Sequence, residues 1–369
     1  MKGKRKMNGQ ELKCLRDTLE SEIKKSSNVF LVGHNSPDFD SIGSCIGLYT
    51  IAEQLGKKVY IIVDDEESKI EPGVKRIIDE NKERFRFIKK EEFEKLVDKK
   101  SLLIVADVNK DYMVSVNDSF DKLRSIIVID HHSEDEHTIS TNKKFISTQV
   151  SSASEIVARL LSAFRMKYSK QVANFLLAGI NLDTKRFKQN TTSKTHDVAE
   201  KLIDNGADID YVNNLFLEEF ESFCRISNLI VNGTVIKKYS DSLAPIQVSF
   251  TLNRNNPQGI SPKEDYAKAA DRMMKFNGID ASFALGFIED GIVHISARGG
   301  KKVNVGKIMQ AMHGGGTPQS AGGRIETNDI FQVEDELMEK INIGLSEEES
   351  IIEEPPVIKV KQIKHFKKS

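Results

Sequence analysis

Short apolar segments alternate with helical segments through the first 130 residues of the chain. Four such runs are VFLVG (29–33), VYIIV (59–63), LLIVAD (102–107) and IIVID (126–130), each too short for a helix of ordinary length. Helical segments are expected after Asp40, after Pro72 and near 91–98. Apolar strands separated by helices are typical of a parallel sheet covered on both faces. The pattern therefore predicts an α/β fold built on a parallel sheet.

Carboxylates and imidazoles stand where these strands end. They are His34, Asp38 and Asp40 in HNSPDFD, Asp107 in VAD, Asp130, His131 and His132 in IDHH, and Asp183 in INLDTKRF after a helical stretch. Open α/β sheets place their ligands at the carboxyl ends of the strands. Charges ending apolar strands are costly unless cations or hydrogen-bond donors compensate them. Oxygen and imidazole donors together suit a pair of Mn²⁺-like ions.

Charge and cysteine content exclude several classes of partner. The chain has 54 Lys+Arg against 55 Asp+Glu, so its net charge of −1 supplies no global positive field for long nucleic acid. No stretch approaches the roughly 20 apolar residues of a membrane span, so we expect no membrane partner. Cys14, Cys45 and Cys224 are odd in number and widely spaced. Such cysteines are typical of a reducing compartment, which predicts a soluble cytoplasmic protein.

A length of 369 residues predicts two domains. We expect an N-terminal helix at 1–27, a catalytic parallel-sheet domain at 28–215 and a helical connector at 216–232. A smaller α/β domain at 233–345 would follow, with strands near 245–251, 282–288 and 292–297. The remaining residues, 346–369, switch from acidic to basic around Pro355 and Pro356, which predicts a disordered tail.

The motifs at these positions resemble a known family. HNSPDFDSIGS, VADVN, VIDHH and AGINLDTKRF are similar to the four motifs of the DHH phosphoesterases, and ARGGKKVNVGKIMQAMHGGGTPQSAGG is similar to the glycine-rich part of the associated DHHA1 domain. The resemblance covers about 28–345. It implies an α/β fold in which a parallel-sheet DHH domain precedes a smaller α/β DHHA1-type domain. The sequence between the motifs resembles most the catalytic portion of bacterial cyclic-di-AMP phosphodiesterases. Those proteins carry membrane helices and sensory domains upstream that this sequence lacks, so we expect a soluble, stand-alone version.

The resemblance also implies roles for individual residues, with two divalent metal ions as cofactors and Mn²⁺ as the favoured ion. One ion would be held by His34, Asp38 and Asp107, and the other by Asp40, Asp107, His131 and Asp183. Asp107 would bridge the two ions and His132 would sit beside the scissile phosphate, which makes these two the catalytic pair. Asp130 would orient a neighbouring histidine.

In the second domain the resemblance implies substrate binding by Arg298 and by the three glycines Gly314, Gly315 and Gly316. Glycines let backbone N–H groups approach a phosphate or a base closely, and an arginine can pair with a phosphate. Thr317 departs from the family pattern, which usually has histidine after the third glycine. This departure concerns substrate contact and leaves the expected metal ligands unchanged.

The activity implied is hydrolysis of cyclic di-AMP to pApA by two-metal activation of water. Two alternatives stay open at this point. One is a nanoRNase-like phosphodiesterase that cleaves pApA or short oligoribonucleotides to mononucleotides, and the other is a cyclic-dinucleotide sensor without catalysis. In each case the partner is a small cyclic or linear dinucleotide, and the resemblance indicates a possible homodimer.

Overall fold

A computed structural model describes residues 8–63, 70–240, 243–252 and 256–348 of the chain. The chain divides into two compact units, Met1–Leu217 and Glu218–Ser369. The first unit contains α1 (Gly9–Lys25), β1 (Asn28–Val32), α2 (Phe39–Gln54), β2 (Lys58–Ile62), α3 (Pro72–Asn81), β3 (Phe87–Ile88), α4 (Lys90–Leu96), β4 (Leu102–Ala106), β5 (Ser125–Asp130), β6 (Lys144–Ile146), α5 (Ala153–Phe164), α6 (Lys170–Asp183), α7 (Ser193–Asp204) and α8 (Ile209–Leu215).

Six parallel strands form the sheet of the first unit, in the order β3-β2-β1-β4-β5-β6. Successive side chains of a strand point to opposite sides, and strands β1, β2, β4 and β5 are buried on both faces. Val29 and Leu31 of β1 pack into the core beneath α1, α2, α5 and α6, whereas Phe30 and Val32 pack into the opposite core with Phe93 of α4. The predicted parallel sheet, covered on both faces, is confirmed.

The strand order reverses between β1 and β4. The chain runs outward from β1 through β2 to β3, then returns to β4 and runs the other way through β5 to β6. Loops that follow β1 and β4 therefore separate toward opposite sides and leave a crevice at the carboxyl edge. His34 and Asp107 both follow strands at this reversal.

The second unit contains α9 (Phe220–Val231), β7 (Thr234–Ser240), β8 (Leu243–Thr251), α10 (Lys263–Met273), β9 (Ala281–Glu289), β10 (Ile292–Gly299), α11 (Val305–Ala311), β11 (Gly315–Gly316), β12 (Ser320–Glu326) and α12 (Ile330–Glu348). Its sheet has the order β11-β12-β10-β9-β8-β7 and is antiparallel except for β8 beside β9. The expected α/β class of this smaller domain is confirmed.

Two of the expected boundaries fall differently in the structure. Residues 218–231, which we expected to belong to a connector, lie in the second unit, where Ile226 and Leu229 of α9 pack with Tyr266 of α10. The expected tail begins at 346, but α12 continues to Glu348. The rest of the tail, 349–369, lies outside the described residues. In the part of the chain that is described, no helix has the length and apolar content that crossing a bilayer requires.

Candidate metal centre

The predicted ligands come together at the carboxyl edge of the first sheet. β1, β4 and β5 are neighbours, and they are followed or ended by His34, Asp107 and Asp130, respectively. Asp183, the last residue of α6, completes the cluster from outside the sheet. Residues more than 140 positions apart in the chain thus share one site.

One donor set consists of His34, Asp38 and Asp107, whose ligand atoms lie within 4.8 Å of one another. His34 Nε2 is 3.6 Å from Asp38 Oδ2 and 3.7 Å from Asp107 Oδ2. Asp38 is the N-cap of α2, and its Oδ1 accepts hydrogen bonds from the backbone N–H groups of Asp40 and Ser41. Capping occupies one carboxylate oxygen and leaves Oδ2 facing the histidine.

A second donor set consists of Asp40, Asp107, His131 and Asp183, again within 4.8 Å. His131 Nε2 lies 3.0 Å from Asp183 Oδ2, 3.3 Å from Asp107 Oδ1 and 3.8 Å from Asp40 Oδ2. Three carboxylates thus converge on one imidazole nitrogen.

Asp107 belongs to both sets and divides its oxygens between them. Oδ2 faces His34, and Oδ1 faces His131. Its backbone has φ 62°, in the left-handed region that L residues seldom adopt, and its N–H donates to Ile129 O at 3.0 Å. With this backbone, the carboxylate of Asp107 lies between His34 of one set and His131 of the other.

Asp40 is fully buried, and backbone donors fix it in place. Its Oδ2 accepts from the N–H of Ala153 at 2.7 Å, and its Oδ1 accepts from the N–H of Ser154 at 2.7 Å. These donors are the free amides at the start of α5, where a helix favours negative charge. Gly179 of α6 lies directly against Asp40, since a Cβ at that position would approach Asp40 Oδ1 to 2.8 Å. The sequence predicted Asp40 as a ligand but not its hydrogen bonds to these amides.

Buried carboxylates this close together shift each other's pKa values. Burial, followed by the charge of Asp183, raises the pKa of Asp40 to about 6. Burial and the charge of Asp40 raise the pKa of Asp107 well above its ordinary value. Burial opposes protonation of His131, but the carboxylates of Asp107 and Asp183, which lie 3.3 and 3.0 Å from Nε2, outweigh burial and raise the pKa of His131 to about 11. The cluster therefore carries an excess of negative charge that favours cations.

Unpartnered polar atoms show that the cluster fits metal ions. Among the described residues, the buried Asp107 Oδ1, His131 Nε2 and Asp183 Oδ2 have no hydrogen-bond partner. Buried polar groups normally make hydrogen bonds, so three buried atoms without one in a single donor set need a physical explanation. Carboxylate and imidazole donors around a negative centre match the requirements of a divalent ion of the Mn²⁺ type.

His132 has a different environment. Its ring is 57% exposed, and Nδ1 is 2.9 Å from Asp130 Oδ1. Asp130 Oδ1 also accepts from the N–H groups of His131 and His132, and Asp130 Oδ2 accepts from Asn109 Nδ2 at 2.5 Å. Burial alone would raise the pKa of Asp130, but the bond to His132 and the histidine charges hold it below its ordinary value. Asp130 thus orients His132, and Asn109 orients Asp130.

The predicted substrate contacts of the second unit have partners within that unit. Arg298 donates to Asp271 Oδ1 at 2.8 Å and to Asp271 Oδ2 at 3.3 Å. Gly315 and Gly316 form β11 and pair with β12, where a Cβ on Gly314 or Gly316 would approach a backbone oxygen of β12 to 2.3–2.4 Å. Only Gly315 of the three faces open space. Packing therefore accounts for two of the glycines, and Arg298 would have to leave Asp271 to bind a phosphate.

Two family models match this chain. The DHH family, N-terminal domain, matches residues 28–180, and the DHHA1 domain matches residues 248–342. The chain therefore belongs to the DHH family and carries a DHHA1 domain after its DHH domain. Both the resemblance found in the motifs and the predicted fold class are confirmed.

Individual relatives differ in how much of their length the match covers. The Cyclic-di-AMP phosphodiesterase GdpP of Bacillus subtilis is 32% identical over 88% of this chain and 49% of its own length. The chain spans about half the length of the first relatives that it matches. The Bifunctional oligoribonuclease and PAP phosphatase NrnA of Thermus thermophilus is 25% identical over 86% of this chain and 90% of its own. An exopolyphosphatase-related protein from Bacteroides fragilis shares the fold, with a TM-score of 0.72 at 19% identity over 91% of this chain and 98% of its own.

Proposed function

We propose that this chain is a metal-dependent phosphodiesterase that hydrolyses cyclic di-AMP to the linear dinucleotide pApA. The observation that carries the proposal is Asp107, whose two oxygens face two separate donor sets at the carboxyl edge of the sheet. The GdpP relative, 32% identical over 88% of the chain, supports cyclic di-AMP as the substrate.

Two divalent ions are the cofactors in this proposal. His34, Asp38 and Asp107 would hold one, and Asp40, Asp107, His131 and Asp183 would hold the other. When bound, such a pair supplies an activated water and neutralises the non-bridging oxygens of the phosphodiester. Mn²⁺ is the favoured ion because the donors mix carboxylate oxygen with imidazole nitrogen.

His132 moves a proton in this proposal. Its Nδ1 is engaged by Asp130, so Nε2 of the exposed ring is the nitrogen available to substrate. Opening the ring to pApA adds water oxygen to phosphorus and breaks the bond from phosphorus to the 3′ oxygen. That oxygen leaves as an alcohol once it takes a proton, which His132 Nε2 donates. The carboxylate of Asp130 stabilises the charged imidazole and fixes its orientation.

Cleavage of pApA or short oligoribonucleotides is the second candidate. One observation favours it: the match to NrnA extends over 90% of that protein, compared with 49% of GdpP. Both reactions use the same donors, so they differ in the contacts made to the nucleotide. A sensor without catalysis is disfavoured because it would not require two complete donor sets with unpartnered buried atoms.

We propose that the reaction takes place in a reducing compartment, the cytoplasm. The free cysteines Cys14, Cys45 and Cys224 support this part of the proposal. A homodimer stays a prediction, as does substrate binding by Arg298 and the glycines.

Chromatography of reaction products tests the proposed function. The purified chain with Mn²⁺ is incubated separately with cyclic di-AMP and with pApA. We expect pApA to accumulate from cyclic di-AMP, with slower conversion of pApA to AMP. Faster cleavage of pApA than of cyclic di-AMP would favour the second candidate. Tight binding of cyclic di-AMP without any product would make the chain a sensor.

The role of His132 is tested by His132→Ala. We expect turnover to fall by about 10² to 10⁴-fold while the metal content stays at the parental level, because general acid catalysis contributes about this much. His137→Ala is a matched control, since His137 is also an exposed histidine of the same loop. Loss of bound metal in His132→Ala would instead identify His132 as a ligand.

A further inference from the structure

Helix α6 ends, directly after Asp183, in an unusual backbone turn. Lys185, Arg186 and Phe187 have φ values of 47°, 58° and 60°, so three consecutive residues with side chains occupy the left-handed region. L residues adopt this conformation at an energetic cost, and such runs persist where the surrounding structure holds them in place. Strained backbone of this kind is concentrated at functional sites.

The hydrogen bonds of the turn follow a common helix ending. Arg186 N–H donates to Asn181 O at 2.8 Å, and Lys185 N–H donates to Leu182 O at 3.0 Å, which is the Schellman pattern. Glycine is the usual residue at the position of Lys185 in this pattern, because it has no Cβ to oppose a positive φ. The backbone bonds do not require a lysine, so the lysine side chain needs a separate explanation.

The neighbouring side chains of the turn have packing roles. The guanidinium of Arg186 lies over the ring of Phe216 at 5.6 Å, and the ring of Phe187 stacks on His196 at 5.3 Å. Lys185 is exposed, and within the described residues its ammonium makes no hydrogen bond or ion pair. It is two positions from Asp183, whose carboxylate is 3.0 Å from His131. Among the described residues, an exposed lysine without a protein partner therefore lies two positions along the chain from a proposed metal ligand.

We propose that Lys185 is a specificity residue that binds the second, non-reacting phosphate of a dinucleotide substrate. The inference rests on the proposed function, since it concerns substrates with two phosphates. In the proposed function, two divalent ions would balance the charges of Asp38, Asp40, Asp107 and Asp183 and would serve the reacting phosphodiester, so the second phosphate would need a separate cation. A lysine on a fixed backbone turn supplies the local positive charge that the second phosphate needs.

The test compares a substrate with two phosphates and a substrate with one. Cyclic di-AMP and bis(p-nitrophenyl) phosphate are each assayed with the full chain, Lys185→Gln, Lys185→Gly and the control Lys188→Gln. Lys188 is an exposed lysine of the same segment. In both Lys185 variants we expect KM for cyclic di-AMP to rise about tenfold with kcat within twofold, as loss of one charge-assisted contact implies. KM for bis(p-nitrophenyl) phosphate should not change, and Lys188→Gln should match the parent on both substrates.

Thermal unfolding separates the two variants at position 185. Lys185→Gly should raise Tm by about 2–4 °C because glycine relieves the left-handed strain, whereas Lys185→Gln keeps the strain and the parental Tm. An unchanged KM for cyclic di-AMP in Lys185→Gln, or an equal rise for both substrates, would overturn the inference. A parent that cleaves bis(p-nitrophenyl) phosphate but neither cyclic di-AMP nor pApA would overturn the proposed function, and the inference with it.

Discussion

Replacing Asp107 with asparagine should make the metal-free protein more stable and abolish its activity. The carboxylate is 3% exposed, and burial together with the charge of Asp40 raises its pKa well above the ordinary value. Asparagine removes the charge at nearly constant size and tolerates the left-handed φ of 62° better than most residues. We therefore expect Asp107, which faces both donor sets, to destabilise the fold when no cation is bound.

The size of the effect follows from the burial of the charge. Removing a buried charge that lacks adequate compensation gives about 1–4 kcal/mol of stability, and a value near 2 kcal/mol raises Tm by about 4–8 °C in a unit of this size. Metal acts in the opposite direction, since an ion present at about 100 times its Kd stabilises the parent by about 2.7 kcal/mol. Asp107→Asn should lose most of that gain, so the order of the two Tm values reverses between EDTA and Mn²⁺.

Differential scanning fluorimetry in EDTA and in Mn²⁺, with metal analysis of the dialysed proteins, measures both effects. Asp121→Asn is the matched control because the same change occurs at an exposed aspartate. Its Tm should follow the parent in both buffers. The reasoning fails if Asp107→Asn melts below the parent in EDTA, or if it keeps two ions and the parental shift in Mn²⁺.

Three further predictions concern other parts of the molecule. Gly179→Ala places a methyl group 2.8 Å from Asp40 Oδ1, so we expect the free energy of unfolding to fall by about 1–3 kcal/mol and Mn²⁺ to bind more weakly in calorimetric titration. Gly9→Ala is the control: its methyl group meets open space, so neither stability nor Mn²⁺ binding should change. Burial, followed by Arg324 and Lys263, lowers the pKa of His294 from 6.5 to about 4, so its neutral form contributes stability above pH 6.5 that is lost as pH falls toward 4. Urea unfolding should show a drop of at most about 3 kcal/mol over that range in the parent and a smaller drop in His294→Phe. Thr317 is exposed, and its Oγ1 accepts from Ser320 N–H at 3.1 Å. Thr317→His should therefore fold normally and change the ratio of kcat/KM for cyclic di-AMP to kcat/KM for pApA. An unchanged ratio would show that this position does not set specificity.

Strands β1, β2, β4 and β5 were predictable because each is a short apolar run buried on both faces, whereas the edge strand β6, with the sequence KFI and no buried residue, was not predicted. The same reasoning located β8, β9 and β10 of the second unit to within two residues at each end. It missed β12, whose sequence SAGGRIE has one buried side chain and no apolar alternation. It also predicted a helical connector over 216–232 and so missed the break at 216–219 between α8 and α9, since no glycine or proline marks that break.

The ligand side chains of the candidate site were predictable from the sequence, but the residues that hold them in position were not. Each proposed ligand is a carboxylate or imidazole at a strand or helix end, which is a visible pattern. Asn109 lies in the motif VADVN, but the sequence did not predict its bond to Asp130, 21 positions away. The ligand assignments themselves stay predictions until metal binding is measured.

The amides that hold Asp40 affect which residues the start of α5 can accept during evolution. Every residue except proline carries a backbone N–H, so the residue type at position 153 can vary without loss of the hydrogen bond to Asp40. Position 153 is also the first residue of α5, where helices favour proline. A substitution that helix statistics would favour is therefore the one that would delete a donor to Asp40. Natural variation at this position should include small residues, because Ala153 is fully buried, and exclude proline, because proline lacks the N–H that Asp40 accepts.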